Sequence, residues 1–349
     1  MADSLTYKGA GVDIAEADST KKLLAKSIDI EGRDARVLNR VGAFASLFEA
    51  KFEGVTNPVL VLKAEEPGSK QLLAFQHGFV REICFDLVNH LINDIAVMGA
   101  RPLAVLDVIV CGALRKADVV ALVDGMAAAC RALGCTLVGG ETSEQPGVLE
   151  AGRYVLSATV VGVADKSRIV DGSGIAVGDR VLVLPSNGPH TNGYTLIRRL
   201  LADVPGCAER AVGKETFLQA VMKPHTPYLE ALQQLATIGA LKGAAHITGG
   251  GIAGNLGRIL PPGMDAAVEL GNLRIPPIFS SIRNLGKVPD TDMLQTFNLG
   301  AGAMVVVPEA LQSQALSGLQ DRGIEGYPVG AIVNGKGSVR FSGGLNWSH

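Results

Sequence analysis

Glycine constrains this chain more than any other residue. It supplies 43 of 349 positions, about 12% where soluble proteins usually carry about 7%. The glycines cluster, as "GG" at 139–140, "GSG" at 172–174, "GGG" at 249–251 and "GAG" at 300–302. A residue without Cβ reaches positive φ and admits close approach of backbone or oxyanion. Such clusters mark tight turns or anion-facing loops. Several follow short apolar runs, as in "CTLVGGE" and "HITGGG", which suits strands that end in turns.

The remaining pattern supports an α/β (α+β) reading. "NPVLVLKA", "RPLAVLDVIVCG", "CTLVGGE" and "YVLSATVVGVA" read as strands. "ICFDLVNHLINDIAVMG" reads as a helix, with Leu87, Val88, Leu91, Ile92 and Ile95 on one face and Asp86, His90, Asn93 and Asp94 on the other. "KADVVALVDGMAAACRALG" is a second helix. The polar, turn-rich stretch 165–179 reads as a junction, dividing the chain into 1–167 and 168–349. Beyond it, strands "RVLVLP", "AGAMVVVP" and "YPVGAIV" alternate with helices "NGYTLIRRLL", "YLEALQQLATIG" and "EALQSQALSGLQDRG". Strands and helices alternate loosely, so mixed sheets in two domains are expected rather than fully parallel ones.

Composition excludes several classes. The formal charge is −2, so no basic groove for nucleic acid is expected. No apolar run is long enough to span a bilayer, and "MADSLTYKGAG" lacks a secretory pattern. A cytoplasmic enzyme is the expectation. The five cysteines form no CxxC pair and read as reduced core thiols.

Candidate chemistry lies beside the glycines. In "HITGGGIAGNLGRIL" three glycines precede an amphipathic segment, leaving N–H groups open to an anion, with His246 beside them. A plain sharp turn is the alternative. In "LPSNGPHTNGY" His190 sits between two turn-forming tripeptides, as a hydrogen-bonding loop residue or as part of an anion site. Asp86 and Asp94 read as a solvated helix face. Asp107 lies in an apolar strand and Glu141 at a strand end, where a carboxylate without a partner is costly; strand-end acids near glycine turns can hold Mg²⁺. His77, His90, His225 and His349 show no metal-ligand spacing.

Six segments in order resemble the phosphoribosylformylglycinamidine cyclo-ligases: "YKGAGVDI" (7–14), "DLVNHLINDIAVMGARPL", "GCTLVGGETSEQPG" (134–147), "SNGPHTNGYTLIRR", "KGAAHITGGG" and "TFNLGAGAMVVV". The resemblance implies two α/β domains, with N-terminal domains pairing in a homodimer to form a shared β-barrel. It implies ATP-dependent closure of formylglycinamidine ribonucleotide, with Mg²⁺ as cofactor. Asp94, Glu141 and Glu65 become candidate Mg²⁺ ligands. Gly68, Ser69, Lys70, Asp107, Gly139, Gly140, Asn192, Thr248, Gly249, Gly250 and Gly251 become candidates for ATP or phosphate. His190, His246 and Lys70 become catalytic candidates.

The chain departs from the family pattern at "AEEPGSK" (64–70), where the family carries TDGVGTK. Glu66 adds charge where glycine lets phosphate approach, and Pro67 removes a backbone donor. Gly9 replaces an aspartate, and Gln295 falls where an arginine commonly precedes TFN. Either the Mg²⁺ ligands have moved to Glu65 and Glu66 or nucleotide binding is weaker. Related selenophosphate synthetases and the carbamoyl dehydratase of hydrogenase maturation rely on terminal cysteines, whereas the first cysteine here is Cys84 and the chain ends "LNWSH". The thiamine-phosphate kinases resemble "HTNGY" and "HITGGG" poorly. A non-catalytic nucleotide-binding homologue is the alternative of a different class.

Overall fold

The computed structural model describes residues 33–40 and 43–347, together with 19, 20, 23–25 and 28. "YKGAGVDI" and Gly9 lie outside the described residues. The chain forms two compact units, one of residues up to Ile92 with Pro102–Val163, the other of Asn93–Arg101 with Ala164 onward.

In the first unit, β1 (Pro58–Glu65), β2 (Arg101–Cys111), β3 (Thr136–Glu144) and β4 (Tyr154–Asp165) form one sheet in the order β1-β4-β2-β3. β2 and β3 pair in parallel. Parallel neighbours need a crossover, here the helix Lys116–Ala132, which buries Val119, Leu122, Val123, Met126 and Cys130 at helical spacing. The register shifts between Val105 and Leu106, after which Asp107 lies opposite Gly140 and Val108 opposite Glu141.

Along β2 the usual alternation is inverted. Asp107 is buried while its neighbours Leu106 and Val108 are exposed. β1 also turns Leu60 and Leu62 outward, and β4 turns out Val155.

The helix Val80–Ala96 follows the expected apolar face, with Leu87, Val88, Leu91, Ile92 and Ile95 buried. Its polar stripe corrects the solvated-face expectation. Asp86, His90 and Asn93 are also buried, and only Asp94 is partly open. The partners that bury them are remote in sequence. Helix periodicity therefore cannot reveal them.

The second unit is built on a six-stranded sheet. Its strands are β5 (Arg180–Pro185), β8 (Gly243–His246), β9 (Met264–Glu269), β10 (Ala301–Val307), β11 (Tyr327–Asn334) and β12 (Val339–Ser342), in the order β12-β9-β11-β5-β10-β8. β6 (Ala211–Val212) and β7 (Glu215–Thr216) form a separate hairpin. The β12–β9 pair is parallel and the other four pairs are antiparallel, so this sheet is mixed, as expected. β10 is buried throughout, and Val181–Leu184 of β5 lie beside it. β8 and β9 escape the apolar-run criterion because "GAAH" and "MDAAVE" carry few β-branched residues. All five cysteines are free and buried. No helix among the described residues is long and apolar enough to cross a membrane.

Candidate active site

The second unit joins the two motif loops. β5 ends at Pro185, and the loop that follows is stitched to the "FNLG" segment by Asn298. Its Nδ2 donates to Gly188 O at 3.0 Å, while its Oδ1 accepts from Ser186 Oγ at 2.8 Å and Gly300 N at 2.9 Å. His190 then adopts φ +60°, a left-handed conformation uncommon for a side chain with Cβ. It is fully buried. The next turn ends at Gly193, φ +78°, where a Cβ would overlap the Phe297 ring. Glycine is required there.

His246 closes β8 and is buried. Its Nδ1 lies 2.8 Å from Asp94 Oδ1, so the carboxylate accepts from the ring and orients it. Asn93, one residue earlier, donates from Nδ2 to Thr226 O and accepts from Tyr228 N. That clamp brings in His225, whose ring centroid is 4.3 Å from His190 and 5.5 Å from His246. His190 and His246 are 6.3 Å apart. Tyr228 packs against both and donates its hydroxyl to Pro185 O; burial pushes that hydroxyl's pKa up. Gly302 leaves the room for Tyr228, since a Cβ there would strike its hydroxyl.

The "TGGG" turn beside His246 is shaped by Asn255. Its Nδ2 donates to the carbonyls of Thr248, Gly249 and Gly251. Gly249 and Gly250 are exposed. Gly250 and Gly251 take φ of +92° and +63°, and a Cβ on Gly251 would overlap Leu294 O. Asn192 reaches the same turn, its Oδ1 3.3 Å from where a Gly249 Cβ would stand. Thus His190, Asn192, His246, Thr248, Gly249, Gly250 and Gly251 share the second unit with Asp94.

The other expected residues lie in the first unit. Glu65 ends β1 and takes Lys63 at 3.0 Å and His90 at 3.7 Å, while its Oε1 accepts from Glu66 N. Glu66 is exposed. Gly68 turns the chain at φ +58°, and Ser69 precedes the helix Lys70–His77 without capping it. Lys70 faces inward. Its ammonium meets Asp86 Oδ2 at 2.5 Å, both side chains fully buried, and burial lowers its pKa against the pull of Asp86. Asp107 is 4% exposed, and its carboxyl is pushed up to about 7, chiefly by burial and further by Glu141. Gly140 makes this possible, because a Cβ there would overlap the Asp107 carboxylate. Gly139 sits beside the bulge and Glu141 is exposed.

The sequence reading missed His225. Its separation from His190 and His246 matches no ligand motif, and contacts remote in sequence, the Asn93 clamp among them, bring it in.

Comparison with known proteins first defines the class. Residues 60–164 match the family model "AIR synthase related protein, N-terminal domain", and residues 176–342 match the corresponding C-terminal domain. A phosphoribosylformylglycinamidine cyclo-ligase from Methylobacillus flagellatus is 42% identical over 95% of this chain and 95% of its own. One from Geobacillus kaustophilus is 36% identical over 97% and 98%. The chain belongs to the phosphoribosylformylglycinamidine cyclo-ligase family. Hydrogenase maturation protein HypE in complex with ATP shares the fold, with a TM-score of 0.64 at 16% identity over 94% of this chain and 91% of that one.

Proposed function

We propose that this chain closes formylglycinamidine ribonucleotide to 5-aminoimidazole ribonucleotide, consuming ATP and releasing ADP and phosphate, in de novo purine biosynthesis. The observation that best supports this reading is the meeting of "SNGPHTNGY" and "HITGGG" at His190 and His246, with Asp94 orienting His246.

In the proposed reaction the formyl-amide oxygen takes the γ-phosphoryl group of ATP. The substrate's own nitrogen then attacks that carbon, and phosphate departs with the oxygen as the nitrogen loses a proton. The protein must hold both ends of a flexible molecule together and meet the developing charge with fixed donors. His246, held by Asp94, is positioned to move a proton. His190, Asn192 and the Thr248–Gly251 turn are candidates for substrate or phosphoryl oxygens. In the first unit, Gly68, Ser69, Lys70, Asp107, Gly139 and Gly140 remain the candidates for ATP.

Carboxylates suit Mg²⁺, a hard cation that prefers oxygen. Exposed Glu141 and half-buried Glu65 fit that donor set. Asp94, whose Oδ1 holds His246, is the third carboxylate candidate. Bound Mg²⁺ would neutralise polyphosphate charge. We assign the outward apolar residues of the first sheet to a homodimer contact with a second copy of the chain. Leu62 is 65% exposed and Leu60 55%, an unusual use of apolar side chains in a monomer.

Substrate-dependent ADP release from Mg·ATP tests the activity. Asp94→Asn should lower kcat by at least about 100-fold, the scale of one acid–base contribution, while the thermal unfolding profile stays in place. Turnover unchanged in that variant would remove Asp94 from the mechanism. No ADP release from the intact chain would favour the binding homologue.

A further inference from the structure

We infer that Cys130 and Cys135 form a redox modification site, where a hydroperoxide oxidises the two thiols to an intramolecular disulfide. The site lies at the C-terminal end of the helix Lys116–Ala132 and the start of β3. No CxxC spacing announces it.

The way the helix ends brings the pair together. Gly134 takes φ +69°. Its N–H donates to Arg131 O at 3.1 Å, and Cys135 N donates to Cys130 O at 3.0 Å. These are the two bonds of a Schellman cap, in which the residue after the glycine folds back onto the one five positions earlier. With ordinary bond lengths the link between Cys135 N and Cys130 O keeps the two Cα atoms within about 7 Å, the limit for a disulfide. The side chains follow the backbone. Cys135 Sγ lies 3.4 Å from Cys130 O, and the two thiols are hydrogen-bonded to each other.

The two sulfurs differ in access. Cys130 is fully buried, and the hydrogen bond with Cys135, reinforced by burial, holds its thiol pKa well above the usual value. Cys135 is 5% exposed and lines a cavity of about 440 Å³, ample for a peroxide. Arg33 and Arg131 line the same cavity, the electropositive setting in which thiols react. Cys135 is therefore the attacking sulfur and Cys130 the resolving one. Cys135 sulfur attacks the O–O bond of hydrogen peroxide and becomes a sulfenic acid as water leaves. Cys130 sulfur then attacks the Cys135 sulfur. The S–S bond forms, the S–O bond breaks, and the oxygen departs as a second water with the Cys130 proton. Two thiols and one peroxide thus give one disulfide and two waters. So short a ring constrains the unfolded chain little, and an external dithiol reverses the step by exchange.

The readout is covalent mass, so failure leaves the proposed cyclisation standing. The intact folded chain is treated with hydrogen peroxide, unfolded in urea with N-ethylmaleimide to cap remaining thiols, and digested with trypsin without reduction. Trypsin cuts after Lys116, Arg131 and Arg153, so peptide 117–131 carries Cys130 and peptide 132–153 carries Cys135. The expected product is these two peptides linked, two hydrogens lighter than their sum, with two of the five thiols lost. Dithiothreitol should separate them. Cys84 and Cys111 are internal controls and should be recovered capped, since their thiols donate to the carbonyls of Leu122 and Ser143 and burial pushes them up to about 12 and about 11. Cys130→Ser should leave Cys135 as a sulfenic acid that dimedone traps. If that variant fails to fold, as judged by circular dichroism, the digest of the parent chain carries the test. Absence of the linked pair, its appearance only when peroxide is added in urea, or linkage through any other cysteine overturns the inference.

Discussion

The two units bury polar groups in different ways. The first encloses the ion pair of Lys70 with Asp86, both fully buried, and the carboxyl of Asp107 on the inward side of a strand whose outward neighbours are Leu106 and Val108. The second gathers three imidazoles, an amide and a tyrosine, each held by short hydrogen bonds or ring contacts. A buried charge is costly unless paired, whereas a neutral group needs only its hydrogen bonds. Breaking the first unit's buried ion pair should therefore cost stability, whatever else it does to ATP binding. Damage in the second should appear mainly as lost chemistry.

The largest expected effect breaks the buried ion pair. Lys70→Met leaves Asp86 charged and enclosed, which should cost about 3–5 kcal/mol in chemical denaturation. Lys70→Met combined with Asp86→Leu should recover most of that loss, because both charges then disappear. A single change costing less than about 1 kcal/mol would contradict this account of the pair.

Asp107 comes next and carries a sign. Its folded pKa of about 7 exceeds the unfolded value of about 3.9, so the folded chain binds the proton more tightly. This group's contribution is most favourable below about pH 4 and is lost as pH rises toward 7. The loss has a ceiling of about 4 kcal/mol. Asp107→Asn should flatten the stability difference between pH 5 and pH 8, measured without Mg²⁺. A slope identical to that of the parent would show that the carboxyl is not buried as described.

Gly302→Ala probes the second unit. The new methyl meets the Tyr228 hydroxyl beside His190, and overpacking of this kind costs about 1–3 kcal/mol. ADP formation should fall further than the fraction of folded protein. Proportional losses would erase the contrast between the units.

Much of this contrast was legible in the residues. The glycine clusters marked real turns, and Leu87, Val88, Leu91, Ile92 and Ile95 marked a real buried face. The motif loops announced His190 and His246. What stayed hidden depended on contacts distant along the chain. Asp86 looked solvated because Lys70 lies on another helix. Asn93 read only as part of a polar stripe because Thr226 and Tyr228 lie more than a hundred residues away. Spacing rules describe residues carried by one local element, so His225 had no signature until its segment met the His190 loop and the end of β8.

The smallest effect concerns the one motif that departs from the family. Glu66 is exposed beside Glu65, whose oxygens engage Lys63, His90 and the Glu66 amide. Glu66 is the more exposed of the two acids at this turn. If "AEEPGSK" supplies Mg²⁺ ligands, Glu66→Gln should raise the Mg²⁺ concentration giving half-maximal ADP formation by roughly 2–5-fold, the scale of an exposed charge contact. Stability should barely change. If Glu66 only repels phosphate, the same substitution should instead lower the KM for ATP. The two accounts move different constants, so a titration of Mg²⁺ at fixed ATP and one of ATP at saturating Mg²⁺ together separate a relocated cation site from a weakened nucleotide site.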